Sequence, residues 1–325
     1  MILVTGATGL LGGFVLKQLK EDGYQDIRIF VQPGENISQI KDLYSEVVYG
    51  DITHVEEVSR AVSDCQMVIH LAGIISLSSK GKKRIFDVNV GGTSNVVNAC
   101  LKHHVQKLVY VSSIHTLAEV NGKFVMRLDT QLKTQRGAYA ASKIQATLEV
   151  FRGVQEGLNA TVLYPSGIIG PSDYAASFIS QAITYYTTGE GTKFYFDGGY
   201  YFVDVRDIAK AISSSLTKSE KGEGIVVAGN YMSLSEIIQN LQKIYGKPKK
   251  LYKLPMFFAY CAAILYPIIH LFTNKLPMFT LYSISVLKSK AKYEAEESLK
   301  KVLPTVTPIS KTLQDFFRRK TVQKA

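Results

Sequence analysis

The opening twelve residues restrict the fold more than any other stretch. Met1 to Thr5 reads MILVT and runs straight into Gly6-Ala7-Thr8-Gly9-Leu10-Leu11-Gly12. The pattern predicts a buried strand, a tight glycine turn and a helix. Gly6 permits the turn, Gly9 lets backbone approach a pyrophosphate, and Gly12 lets the helix pack close to the strand. A phosphate would then rest on free N–H groups at the helix N-terminus. Leu11, Val15 and Leu19 share one helical face, and Gly23 is the expected stop. Three glycines alone are a weak signal. Placed after a strand and before an amphipathic helix they are a strong one.

Apolar runs alternate with helical stretches through the first half. Strands are expected at Ile2–Thr5, Ile27–Val31, Val47–Tyr49, Met67–Leu71, Leu108–Ser112 and Thr161–Tyr164. Helices such as Val55–Ser63 and Thr93–His103 fall between them. This alternation implies right-handed crossovers and an α/β fold with a doubly wound parallel sheet, whose ligands bind at the carboxyl ends of the strands. Residues 1–165 form the nucleotide-binding domain. Phe202–Ser213 and Ile225–Ala228 read as sheet elements, so 200–230 is expected to return to it. Residues 166–199 and 231–325 form a smaller, mostly helical C-terminal lobe.

At 325 residues, 46% hydrophobic and 20% charged, the chain is globular. Its three cysteines, Cys65, Cys100 and Cys261, share no CxxC spacing. That argues against a disulfide framework and for a reducing, cytoplasmic setting. A cleavable leader is not expected, since the first strand occupies its place. The net charge of +11 accompanies no nucleic-acid motif, and no nucleic-acid partner is predicted. His54 and His103-His104 lack partners at ligand spacing, so no metal is predicted.

Tyr139-Ala140-Ala141-Ser142-Lys143 puts Tyr139 and Lys143 one helical turn apart. An ammonium lowers the pKa of a neighbouring phenol, and a positive nicotinamide ring would add to this, so the pair can exchange a proton with an alcohol or ketone. The lysine can also hold ribose hydroxyls. Tyr245 to Lys249 repeats the spacing but contains Pro248, which disfavours a helical turn there. Ser112-Ser113 ends a strand, and Ser113 is chosen as donor to the substrate oxygen. His115 lies two residues further on and is most simply incidental.

With these motifs in order, the chain resembles an extended short-chain dehydrogenase/reductase, the NAD-dependent epimerase/dehydratase group. The resemblance implies a Rossmann fold and a nicotinamide cofactor. TGATGLLG at 5–12 matches the cofactor loop, implying contacts from Gly6, Thr8, Gly9, Leu10, Leu11 and Gly12. Gly50-Asp51-Ile52 matches the adenine segment, and Leu71-Ala72-Gly73 the strand end beside the ribose. Asn89 matches the helix asparagine, Ser113, Tyr139 and Lys143 the catalytic set, and Pro165 to Pro171, with Ile168, the strap near the nicotinamide. The resemblance also implies a homodimer through the helices around Asn89 and Tyr139.

Two departures bear on specificity. The second strand ends in Gln32 rather than an acid, which would select NAD, or an arginine, which would select NADP. Without the acid the balance leans to NADP, while Glu35 leaves NAD open. Residues 197–201 lack the arginine that nucleotide-sugar enzymes of the group use, and Tyr164 stands where relatives often carry arginine. With Phe178, Tyr185 and Tyr186, these point to a largely apolar or aromatic substrate, as in dihydroflavonol reductases and 3β-hydroxysteroid dehydrogenases. The expected activity is hydride transfer at an alcohol or ketone carbon. Two alternatives are a nucleotide-sugar epimerase or dehydratase and a non-catalytic, membrane-associated cofactor binder.

Leu254–Phe272 has 19 residues without Asp, Glu, Lys or Arg. A buried or substrate-facing helix, peripheral membrane contact through 254–287, and a bilayer span all suit it. Pro255, Pro267 and His270 argue against the span.

Overall fold

The computed structural model describes residues 1–75, 81–120, 123–125, 137–171, 183–186, 188–190, 193–196, 198–246, 249–273, 284, 287 and 297–316. Two compact units divide the chain. One holds 1–166, 205–228 and 292–306, the other 167–204, 229–291 and 307–325.

The first unit is built on seven parallel strands: β1 (Ile2–Thr5), β2 (Ile27–Val31), β3 (Glu46–Tyr49), β4 (Met67–His70), β5 (Lys107–Val111), β6 (Ala160–Pro165) and β7 (Gly224–Val227). Their order is β7-β6-β5-β4-β1-β2-β3, and every neighbouring pair is parallel. The chain reverses direction across the sheet at β1 and β4, where a doubly wound fold opens its ligand crevice. The central strands β1, β5 and β6 are buried along their whole length, as expected for strands covered on both faces. The helices are α1 (Leu10–Glu21), α2 (Val55–Val62), α3 (Lys82–Phe86), α4 (Gly92–Lys102), α5 (Gly137–Gln155) and α6 (Val205–Lys218). α1 buries Val15, Leu16 and Leu19 and stops at Gly23, whose φ of +91° only glycine adopts readily.

The expected return of 200–230 to this unit begins only at Val205. Gly199–Asp204 is a strand of the second unit, pairing with Gly167–Ile169 and antiparallel to Asn230–Ser233. Residues 205–213, expected as sheet, lie in α6, which buries Val205, Ile208, Ala209, Ile212 and Leu216 at helical spacing. The Glu297–Val302 segment, expected in the C-terminal lobe, lies in the first unit, packed on α6 and β7 with Leu299 and Val302 buried.

The second unit has its own core of Ile169, Ile183, Tyr186, Phe202, Met232, Ile237, Leu241 and Leu313. The Leu234–Tyr245 helix starts on a reciprocal cap: Ser233 Oγ accepts from Glu236 N, and Ser233 N donates to the Glu236 carboxylate.

Candidate active site

The turn after β1 is held by backbone fit. Gly6 has φ +70°, and a Cβ there would lie 2.7 Å from Ala72 N, so the turn packs on the end of β4. A Cβ on Gly12 would strike the Gly6 carbonyl oxygen and come within 2.6 Å of Ala7 Cα. Gly9 differs. Its φ of −69° and ψ of 164° suit any residue, and an added Cβ would meet only Gly6 O, at 3.4 Å. Internal packing does not require glycine there, and the space beside its Cα is open. α1 begins without a side-chain cap or an acid in its first turn. The N–H groups of Leu10 and Leu11 lack intrahelical partners and suit an anion. These features fit a nicotinamide dinucleotide.

Beside the turn lies a cleft walled by Gly6, Thr8, Gly9, Phe30, Gln32, Glu35, Ile52, Leu71, Ala72, Gly73 and Arg84. Asp51 stands behind this wall. Its carboxylate accepts from Thr53 N and Oγ1 at 2.9 and 2.8 Å, Arg84 Nη2 at 3.0 Å and Gln32 Nε2 at 3.3 Å. Burial alone would raise its pKa, but these bonds and the Arg84 charge hold it at about 2. Across the cleft Thr8 Oγ1 donates to Glu35 Oε2 at 2.6 Å. Arg84 is a wall residue that the sequence reading missed. It sits in the basic run 80–84, and nothing in the sequence signals its reach to Asp51.

The chemistry-bearing residues converge just past β5. Ser112 and Ser113 part company there: Ser112 Oγ pairs with Thr147 Oγ1 of α5 at 2.7 Å, while the Ser113 hydroxyl lies near enough to the Tyr139 phenol to favour its ionised form. Lys143 Nζ donates to Val111 O at 2.7 Å and lies 4.5 Å from the centre of the Tyr110 ring. Asn89, in a π-helical turn spanning Asp87–Gly91, accepts from Ile74 N at 2.7 Å and donates to Ile74 O at 3.0 Å and Ser142 Oγ at 2.9 Å. Ser142 Oγ donates in turn to Tyr139 O at 2.7 Å. Asn89 therefore ties the loop after β4 to the turn of α5 that carries Tyr139. His70 is buried between Thr5 and Thr93 hydroxyls at 2.7 and 3.0 Å, and burial plus the Lys143 charge lower its pKa to about 3.

The electrostatics differ from the sequence expectation in one respect. Burial pushes Tyr139 up to about 12, with the Ser113 hydroxyl only partly offsetting it, and burial pulls Lys143 down to about 7. The lysine ammonium makes its contacts with Val111 and Tyr110, so desolvation outweighs any activation of the phenol by the chain itself. An adjacent positive charge is what the pair still requires to work near neutral pH.

This predicts a pH effect on stability. An unfolded lysine keeps its proton up to about pH 10.4, whereas folded Lys143 releases it at about 7. Above about pH 7 the unfolded chain therefore binds more protons, and stability rises with pH. Urea melts at about pH 6.5 and about pH 8.5 should show this rise, and Lys143→Met should reduce it. An unchanged difference between the two melts would show that Lys143 does not titrate in this window.

Other expectations are placed as follows. Pro165 ends β6, paired with Val227. Ile168 lies on a strand of the second unit. Tyr164 and Tyr186, expected as substrate walls, are core residues, and among the described residues their buried hydroxyls have no hydrogen-bond partner. Phe178 lies outside the described residues. Tyr245, the first residue of the second Tyr-x-x-x-Lys, ends its helix and donates to Leu313 O at 3.2 Å. His115 lies in a 3-10 turn, and its N–H donates to Ser113 Oγ at 3.3 Å.

A parallel sheet with a glycine turn after its first strand and a serine, tyrosine and lysine gathered past β5 defines an extended short-chain dehydrogenase/reductase. The profile of the NAD dependent epimerase/dehydratase family matches residues 2–229, and the chain belongs to that family. Sterol demethylase protein B of Methylococcus capsulatus is 26% identical over 311 residues, 94% of each chain. The decarboxylating sterol-4-alpha-carboxylate 3-dehydrogenase erg26 of Schizosaccharomyces pombe is 31% identical over 179 residues, 53% of this chain and 51% of its own. The crystal structure of gox2253 superimposes with a TM-score of 0.81 at 26% identity, covering 98% of both chains.

Proposed function

We propose that the chain is an NAD(P)-dependent dehydrogenase or reductase acting on the alcohol or ketone carbon of a largely apolar, polycyclic substrate. The observation that carries this is the gathering of Ser113, the Tyr139 phenol and buried Lys143, with Tyr139 and Lys143 one turn apart on α5. Ser113 would orient the substrate oxygen, Tyr139 would exchange its proton, and Lys143 would hold ribose and favour the phenolate. The nicotinamide supplies or accepts the hydride at C4 when bound. Gly6, Thr8, Gly9, Leu10, Leu11 and Gly12 would hold its pyrophosphate, Gln32, Asp51 and Ile52 the adenosine, and Leu71, Ala72 and Gly73 the ribose. Pro165 and Ile168 would strap the ring, and Asn89 positions α5. The sterol-acting relatives support an apolar substrate over a charged sugar diphosphate.

For the cofactor we favour NADP. Gln32 is engaged with Asp51, and Arg84 brings a cation to the cleft wall. Calorimetry with both cofactors tests this: tighter NADP binding is expected, with the preference narrowed in Arg84→Gln. Equal or tighter NAD binding, through Glu35, would reverse it. Turnover of sterol-like ketones or alcohols with consumption of the cofactor is the expected activity. Turnover of a UDP-sugar instead, with retained NAD, would move the assignment to an epimerase. Binding without any turnover would move it to a non-catalytic role.

The three free cysteines support a cytoplasmic setting. A homodimer through α4 and α5 rests on the resemblance, and a mass measurement decides it. The membrane contact expected of residues 254–287 falls in the second unit and is independent of this chemistry.

A further inference from the structure

Over its described residues the Met256–Thr273 helix packs one apolar side and exposes another. Ala259 is buried against Phe196 and Ile284, with Met256, Tyr260 and Ala263 beside it. On the other side Phe257, Phe258, Ile264 and Leu265 are 69%, 53%, 62% and 50% exposed. The Phe257 and Phe258 rings meet edge to face at 5.8 Å. Near the start of this helix the exposed rings of Phe194 and Tyr252, 6.0 Å apart, sit on paired strands. A single exposed leucine is ordinary, but a cluster of this kind marks a surface that meets something apolar.

The charge around the cluster indicates what it meets. From Ile237 to Tyr293 the sequence has nine lysines and no Asp, Glu or Arg. Lys250 and Lys253 are exposed just before the helix. Protein interfaces are depleted in lysine and enriched in arginine. Lysines that rim inserted aromatic and aliphatic side chains instead match a surface with an apolar interior and anionic phosphates above it. Among the described residues no helix is long and apolar enough to cross a membrane.

We propose that this face is a docking surface for an anionic phospholipid bilayer. The helix lies in the plane of the interface, with Phe257, Phe258, Ile264 and Leu265 among the upper acyl chains and Lys249, Lys250 and Lys253 at the headgroup phosphates. The surface goes beyond the reaction proposed above, and its existence does not depend on that reaction.

The chain has no tryptophan, so Phe257→Trp yields a protein with one indole fluorophore on this face, and Val55→Trp one on the exposed start of α2. With vesicles of phosphatidylcholine and phosphatidylglycerol, emission from Phe257→Trp should shift to the blue and be quenched by brominated acyl chains. Emission from Val55→Trp should do neither. Phosphatidylcholine alone or high salt should weaken binding, and Lys249→Gln with Lys250→Gln should weaken it about fivefold per lysine. Phe258→Glu with Ile264→Glu, two exposed positions, should abolish cosedimentation while leaving cofactor affinity unchanged. No shift of Phe257→Trp on anionic vesicles would overturn the proposal. So would emission from Phe257→Trp already blue-shifted without lipid in a protein that sediments as a dimer, since the face would then be covered by a second copy. Neither result touches cofactor binding, so this surface and the proposed chemistry fail separately.

Discussion

Tyr139→Phe should lower kcat by about 10²- to 10⁴-fold, the range for losing a positioned proton donor or acceptor. Affinity for the dinucleotide should change little, because the residues assigned to pyrophosphate and adenosine are elsewhere in the first unit. The phenol stands in a setting whose burial holds it at about 12, so removing its oxygen creates no buried charge. The cost should appear in the chemical step and hardly at all in a urea melt. Single-turnover rates on an identified substrate, alongside calorimetry, separate the two. Full turnover by the variant would remove Tyr139 from the mechanism.

The second large effect is a contrast between two glycines of one turn. Gly12→Ala forces a Cβ against the Gly6 carbonyl and Ala7 backbone, neither of which can rotate away. It should destabilise the chain by about 1–3 kcal/mol. Gly9→Ala introduces only a contact at 3.4 Å to Gly6 O, and its backbone angles are open to alanine. The melt should stay within about 0.5 kcal/mol of the parent, yet dinucleotide affinity should fall about tenfold or more, since the methyl occupies the space over the turn. If Gly9→Ala binds as tightly as the parent, the pyrophosphate does not lie there.

These residues also show how far the sequence could be read. The sheet was legible because its central strands are buried on both faces and so read as short apolar runs bounded by turns. The glycine turn and the Tyr139–Lys143 spacing are local geometry, readable from the order of residues. Phe202–Ser213 misled because Val203 and Val205 fit an alternating pattern at first, before the helical spacing through Ile208, Ile212 and Leu216 asserts itself. Contacts between distant positions were not legible at all. Arg84 reaches Asp51, Asn89 links Ile74 to Ser142, and Ser112 turns to Thr147. Each depends on packing that no spacing encodes.

The first unit is not one stretch of chain. Its edge strand β7 and the Glu297–Val302 helix that packs on α6 come after long excursions into the second unit. During synthesis the sheet therefore waits for its seventh strand, and α6 waits longer for the helix that covers it. Until β7 has emerged the edge of β6 stands open to other chains, and until about residue 303 has emerged so does the side of α6 on which Glu297–Val302 packs. A ribosome-bound intermediate stalled before that point should be more prone to aggregation and to chaperone capture than one stalled just after it. No single cut would free either unit intact.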